Sequence, residues 1–139
     1  MKIQLYSSTI RRKEMDAVLS CMVEEKTGPG ELNQKLVQFV KEFYGVSGAV
    51  ALRSPSLALK YALKSFRLEE NSKIMISALA SDWQYSAIEE LGYEPLILDV
   101  SASSGLVEIE KIQQGILDGG RVLLYHETCG LLPNMEELL

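Results

Sequence analysis

The feature that most constrains the fold is a regular alternation of short apolar runs with helical patterns along the last two thirds of the chain. Apolar runs of strand length occur at 49–52, 73–77, 95–100 and 121–126. Patterns with helical spacing follow the first three runs, at 55–66, 82–91 and 108–117. Strands that alternate with helices form parallel sheets whose crossover helices cover both faces. The sequence therefore predicts an α/β fold with a mostly parallel sheet and helices on both faces.

Further helices are predicted at the two ends of this alternation. One begins near Arg12, and the run Gly28-Pro29-Gly30 ends any helical pattern there because two glycines around a proline cannot continue a helix. A second helix follows and ends at Gly45. Its apolar face contains Leu32, Leu36, Phe39, Val40 and Phe43. The last helix is predicted to begin near Pro133, and we expect it to be incomplete at Leu139.

Length and composition exclude several classes of protein. The 139 residues show no linker or repeat, so we predict a single α/β domain over residues 1–139. A net charge of −5 without a basic cluster argues against nucleic acid as a partner. No apolar segment is long enough to cross a membrane. Cys21 and Cys129 lack the spacing of a metal or disulfide motif and are read as reduced thiols, which favours a cytoplasmic protein.

The segment Ser54-Pro55-Ser56 has the chemistry of an anion site. Ser54 is a favourable N-cap, and Pro55 occupies the first helical position. A helix that begins just after a strand offers free backbone N–H groups and the positive end of its dipole. Two serine hydroxyls flank that point, so the segment is compatible with a phosphate or carboxylate ligand, although a good cap is commoner than an anion site. The simpler alternative is a well-capped helix without a ligand.

Other polar residues give weaker indications. His126, the only histidine, lies at the predicted end of a strand, where α/β sheets carry function, with Cys129 nearby. Adjacent strand residues point to opposite faces, so closeness in sequence does not make these two a catalytic pair. No set of His, Cys, Asp and Glu has the spacing of metal ligands, and no metal site is predicted. We predict no catalytic residue in this chain.

Several segments, in a fixed order, resemble the DegT/StrS-type sugar aminotransferases. These segments are Ile3–Tyr6 followed by Glu14–Val18, Thr27–Gly30 followed by Phe39–Gly45, Ala49–Leu63, Leu91–Val100, and His126–Gly130 followed by Asn134-Met135. The resemblance implies the N-terminal half of the large domain of the aspartate aminotransferase fold, and so a truncated chain. It also implies pyridoxal phosphate as cofactor and amino transfer to a keto-sugar in sugar biosynthesis. Its partners would be a nucleotide-sugar and a second copy of the chain in a homodimer, or another polypeptide.

The resemblance assigns site residues, and this chain departs from the pattern at some of them. Ser54, Pro55 and Ser56 stand where the family binds the cofactor phosphate, but Pro55 replaces a glycine and removes one N–H donor. Trp83 is the candidate for the aromatic that stacks on the pyridine ring, although the family places it nearer Ser81. The alternative for Trp83 is a partly buried packing residue.

The groups that perform the family's chemistry lie, by this resemblance, beyond the region that the chain covers. These groups are the Schiff-base lysine and the acidic partner of the pyridine nitrogen. None of the nine lysines matches the family's catalytic position. We therefore expect the isolated chain not to catalyse amino transfer. The alternative function is a non-catalytic binding or assembly module that kept the fold and lost the cofactor chemistry.

Overall fold

The computed structural model describes residues 7–138, so the family-like segment Ile3–Tyr6 and the end of the last helix at Leu139 lie outside the described residues. The chain divides into two compact units, residues 1–51 and residues 52–139. Each unit is described by itself below. Nothing in this division tests the expectation of a single domain over residues 1–139, which stays a prediction.

The first unit contains two helices, α1 (Arg12–Val23) and α2 (Glu31–Tyr44). Both were predicted, and so was the break between them at Gly28-Pro29-Gly30. Gly45 ends α2 in the left-handed conformation at φ 64°, which a glycine adopts without steric cost. Neither helix contains a buried residue within the described part of this unit.

The second unit holds the sheet and its helices. In chain order its elements are α3 (Pro55–Ser65), β1 (Lys73–Ser77), α4 (Asp82–Glu89), β2 (Glu94–Leu98), α5 (Ile109–Leu117), β3 (Gly120–Leu124), a 3-10 turn (Thr128–Gly130) and α6 (Met135–Leu138). The three strands are parallel and lie in the order β2-β1-β3. β1 is therefore the central strand, and Arg121 forms a one-residue bulge where β3 pairs with it.

Both faces of the sheet are covered, as predicted. Ile74 and Ile76 of β1 point to one face and pack among buried residues of α3 and α4. Met75, between them, points to the other face and packs near Ile112 of α5. The alternation of side chains along a strand thus divides the core into two layers, one on each side of β1. The α/β fold class and the helices on both faces are confirmed.

Two glycines allow α5 to lie close to the sheet. A Cβ atom added to Gly115 of α5 would lie 2.7 Å from Met75 Sδ. A Cβ atom added to Gly120 would lie 2.6 Å from the same sulfur and 2.8 Å from the carbonyl oxygen of Gly115. Any larger residue at either position must displace its neighbours, because heavy atoms do not approach this closely without overlap.

The predicted strand at 49–52 is wrong. This segment has no regular secondary structure, and Val50 is 80% exposed. A strand needs a neighbour for its backbone hydrogen bonds, and none of the described strands pairs with these residues. An apolar run of four residues predicts burial, but it does not determine whether a neighbouring strand is present to pair with it.

Candidate functional site

The N-termini of α3 and α4 lie at the same edge of the sheet. The loop after α3 leads to the first residue of β1, so α3 runs antiparallel to that strand and begins near its carboxyl end. α4 begins just after the carboxyl end of β1. The two helices pack side by side through buried side chains, which are Leu59, Leu63, Ala87 and Ile88. Two helix N-termini, with their positive dipole ends, therefore face the carboxyl edge of the sheet.

The first turn of α3 leaves one backbone donor free. The Ser54 hydroxyl oxygen accepts a long hydrogen bond of 3.4 Å from the Leu57 N–H, and the Ala58 N–H donates to the Ser54 carbonyl at 3.0 Å. Pro55 has no N–H to donate. Among residues 7–138 no acceptor pairs with the Ser56 N–H. A half-buried amide with two hydroxyls beside it can bind one anionic oxygen group at this helix N-terminus.

The first turn of α4 is occupied by its own side chains. The Ser81 N–H donates to Gln84 Oε1 at 3.1 Å, and the Trp83 N–H donates to Asp82 Oδ1 at 2.8 Å. Trp83 is 36% exposed, so about a third of its side chain is open to solvent and the rest is packed. In the described chain no hydrogen bond or ring contact joins its indole to Ser54–Ser56. The structure thus places the predicted phosphate residues together and puts Trp83 on the neighbouring helix, and its role stays a prediction.

The loops after β2 and β3 are joined at the same edge of the sheet. Thr128 Oγ1 donates a hydrogen bond of 2.9 Å to the carbonyl oxygen of Gly105. Gly105 has φ 70°, and a Cβ atom there would lie 3.2 Å from Thr128 Cγ2. This contact spans 23 positions of sequence. Sequence reasoning missed it, because no periodic pattern predicts a hydrogen bond between two loops.

Tyr125 is a second feature that sequence reasoning missed. Its hydroxyl is buried and has no hydrogen-bond partner within the described residues. Burial first, and then the charge of Glu127, raise the pKa of this phenol above its ordinary value, which disfavours its ionised form. A cavity of about 300 Å³ lies beside the ring and is lined also by Leu106, Val107 and Ile109. A tyrosine within an otherwise apolar strand pattern was the only available signal.

The remaining candidates are not brought together. His126 follows β3, and its carbonyl oxygen accepts a 3.1 Å hydrogen bond from the Thr128 N–H. Cys129 is exposed, and no contact between its thiol and the imidazole is present in the described residues. Over residues 7–138 no three His, Cys, Asp or Glu side chains are grouped so that they could hold a metal ion. No described helix is both long and apolar enough to cross a membrane.

Solved structures with the same fold are described as dehydratases of a GDP-sugar or as aminotransferases. One is E. coli GDP-4-keto-6-deoxy-D-mannose-3-dehydratase with bound hydrated PLP, at 21% identity and a TM-score of 0.86, covering 96% of this chain and 36% of that one. Another is GDP-4-keto-6-deoxymannose-3-dehydratase with a trapped PLP-glutamate geminal diamine, at 22% identity and a TM-score of 0.85, covering 99% and 37%. A third is the aminotransferase from Psychrobacter cryohalolentis, at 18% identity and a TM-score of 0.81, covering 94% and 33%.

These similarities establish the fold, and the chain spans about a third of the length of each of these structures. A family match establishes more. Residues 8–139 match the DegT/DnrJ/EryC1/StrS aminotransferase family, which is nearly the whole chain. The resemblance found in the motif segments is confirmed by this match, and the chain belongs to the DegT/DnrJ/EryC1/StrS aminotransferase family.

Proposed function

We propose that this chain supplies the phosphate-binding end of a pyridoxal phosphate site of the sugar-aminotransferase type and does not catalyse amino transfer by itself. The observation that carries the proposal is the unpaired Ser56 N–H at the N-terminus of α3, flanked by the hydroxyls of Ser54 and Ser56. The PLP in the E. coli dehydratase and in the geminal-diamine structure supports the choice of cofactor.

The residues present fit a phosphate, although with fewer donors than a helix N-terminus can offer. Ser56 supplies its N–H and its hydroxyl. The Ser54 hydroxyl is held by the Leu57 N–H only through a 3.4 Å contact, so its proton remains available as a donor. Pro55 supplies none. We therefore expect the phosphate to be bound, but weakly.

Bound pyridoxal phosphate would supply an electron sink for amino-group chemistry. This chain's own part is to bind the phosphate oxygens through Ser54 and Ser56. Trp83, at the start of the neighbouring helix, is proposed to lie along the ring and shield it from water. The nine lysines of the chain do not match the position that the family resemblance assigns to the Schiff-base lysine. Amino transfer to a keto-sugar therefore requires groups that the 139 residues do not supply.

A second candidate function is a non-catalytic binding or assembly module. The observation that favours it is Pro55, which removes a donor from the turn where the phosphate would bind. In this case Ser54 serves only as the N-cap of α3. The chain would then act by binding a partner through its surface, and pyridoxal phosphate would not bind.

The proposed partners follow from the family. We propose self-association into a homodimer, or association with a polypeptide that completes the site, and a nucleotide-sugar as the substrate of the completed site. The GDP-sugar dehydratases among the structural neighbours support this substrate class. We also propose a cytoplasmic location, and neither a nucleic acid nor a membrane as partner.

The test is a titration of the purified chain with pyridoxal phosphate, followed by absorbance and competed with inorganic phosphate. We expect weak binding that phosphate competes away, and no single lysine that borohydride reduction labels. Pro55→Gly restores an N–H to the turn and is expected to tighten binding about tenfold, because a hydrogen bond to a charged group contributes roughly 1.5–3 kcal/mol. Ser56→Ala is expected to weaken binding.

Three results would contradict the proposal. Specific labelling of one lysine after borohydride treatment would show that the chain carries its own Schiff-base residue. Binding that neither phosphate nor Pro55→Gly alters would remove the cofactor phosphate from Ser54–Ser56. An absence of binding in both the parent chain and Pro55→Gly would favour the non-catalytic module.

A further inference from the structure

The helix α2 presents an apolar stripe to solvent. Its members are Leu32, Leu36, Phe39 and Phe43, which are exposed by 53%, 53%, 61% and 69% respectively. The rings of Phe39 and Phe43 stack with their centroids 5.8 Å apart, so the stripe is continuous at its C-terminal end. Large apolar side chains at this exposure indicate a surface that another element covers.

The spacing of the stripe is compatible with a helix as that element. Its positions are separated by four, three and four residues, a spacing that one face of an amphipathic helix and a coiled-coil seam share. A seam of this period stays in line with a second helix that crosses at a shallow angle, whereas a flat sheet has no such requirement. The stripe therefore fits a helix lying along α2.

We propose that the stripe on α2 binds the α2 helix of a second copy of this chain, in an antiparallel pair related by a twofold axis. This inference rests on the self-association proposed above and names its surface. In such a pair Leu36 lies opposite Phe39 of the second copy, and Leu32 lies opposite Phe43 of the second copy. The twofold axis passes through the middle of the stripe, and the same patch serves both copies.

The charges beside the stripe favour a second copy of the chain as the partner and an antiparallel orientation of the two helices. Lys35 and Glu42 each stand one residue before a seam residue, on the same side of the stripe. In the antiparallel pair these flanking positions face each other, so Lys35 meets Glu42 of the second copy, and the twofold axis repeats the pair. In a parallel pair Lys35 would face Val40, and neither charge would gain a partner.

Both charged side chains are free to change partners. Lys35 Nζ contacts Glu31 Oε1 of its own helix at 2.6 Å, and Glu42 Oε1 accepts from Gln38 Nε2 at 2.6 Å. All four groups are exposed, and such contacts on a helix surface exchange with water at little cost. In the dimer, the ion pair between Lys35 and Glu42 of the second copy would replace these contacts within each helix or form beside them.

The test is a charge reversal followed by sedimentation equilibrium of the full chain. Lys35→Glu places two carboxylates opposite each other at both ends of the pair, and Glu42→Lys places two ammonium groups there. Each single variant is expected to weaken dimerisation roughly tenfold, since two attractive pairs become repulsive. An equimolar mixture of the two variants is expected to restore association, because each Glu then faces a Lys in the mixed dimer.

The mixture also separates this proposal from a loss of folding, because a misfolded variant cannot regain a partner by mixing. Lys13→Glu, an exposed charge reversal on α1, is the matched control and is expected to leave the dimer unchanged. A chain that is monomeric at every concentration tested would overturn the proposal. If both single variants dimerise as strongly as the parent chain, α2 is not the dimer surface, although the proposed self-association still holds. Neither result bears on the binding of pyridoxal phosphate.

Discussion

Replacing Gly120 by alanine is expected to destabilise the chain more than the same change at Gly115. At Gly115 the new methyl group would lie 2.7 Å from Met75 Sδ and 3.0 Å from Leu98 Cδ2, both ends of flexible side chains. These ends can move aside. At Gly120 the methyl group would meet the Gly115 carbonyl oxygen at 2.8 Å as well as Met75. That oxygen belongs to the backbone of α5, so the helix itself must move away from the sheet.

The magnitudes separate the two variants. Overpacking a core costs about 1–3 kcal/mol. Gly115→Ala recovers about 1 kcal/mol from helix propensity, which leaves a net loss of about 0–2 kcal/mol. Gly120→Ala stands at the upper end of the overpacking cost and recovers roughly 0.5–1 kcal/mol from the lower entropy of the unfolded chain. We expect a net loss of about 2–2.5 kcal/mol, a large share of the stability of a small domain.

Urea denaturation followed by circular dichroism measures both losses. The midpoint is expected to fall, with the slope m unchanged, in the order parent chain, Gly115→Ala, Gly120→Ala. Met75→Ala supplies a double-mutant cycle: it removes the closer of the two side-chain overlaps at Gly115 but leaves the backbone overlap at Gly120. Gly48→Ala, with no heavy atom within 4 Å of the added methyl group, is the control. A Gly120→Ala chain as stable as Gly115→Ala would refute the close approach of α5 to the sheet.

Three further changes are tested by the same denaturation assay. Arg67→Gly is expected to stabilise the chain by about 0.5–1 kcal/mol, because Arg67 has φ 50°, a left-handed conformation that costs a residue with a Cβ about 1–2 kcal/mol, of which glycine returns roughly 0.5–1 kcal/mol through its larger entropy in the unfolded chain; a lowered midpoint would contradict this. Ser54→Ala is expected to cost about 0.5–1 kcal/mol through loss of the α3 cap, at the low end because the 3.4 Å bond is long. Tyr125→Phe is expected to stabilise the chain by about 1 kcal/mol, because it removes a buried hydroxyl without a partner. The raised pKa of Tyr125 gives a second readout: its neutral form favours the folded state, so stability is lost as the pH rises above about 10, and Tyr125→Phe is expected to flatten that loss.

Sequence patterns predicted the elements whose signal is local. The apolar run at 73–77 became β1 with the same bounds, and the cap and proline at 54–55 marked the start of α3. The run at 49–52 has a similar local signal and forms no strand, because pairing depends on a neighbour that the run itself does not specify. Whether a segment forms a strand thus depends on a second segment that pairs with it. A hydrophobic pattern within one segment is insufficient to predict a strand.

The features of the candidate site also differ in how far the sequence alone predicts them. Ser54, Pro55 and Ser56 are consecutive, so their common place at a helix N-terminus follows from the sequence. The Thr128–Gly105 hydrogen bond and the buried Tyr125 hydroxyl depend on how distant segments pack. Trp83 lies between these cases: its helix was predicted, but its contacts depend on the packing of α3 against α4, which periodicity does not describe.

The central position of β1 has a consequence for the order of assembly during synthesis. β1 is the first strand of the second unit to leave the ribosome, and both of its neighbours follow later. All buried residues of the layer against α3 and α4 are present once residue 88 is made, although Val122 and Leu124 of β3 pack on that layer later. Met75 on the opposite face waits for Val107 and Ile112. A nascent chain that pauses between these points carries one layer with all its buried residues and one open apolar face. Chaperone binding or aggregation during synthesis is expected to concentrate in that interval.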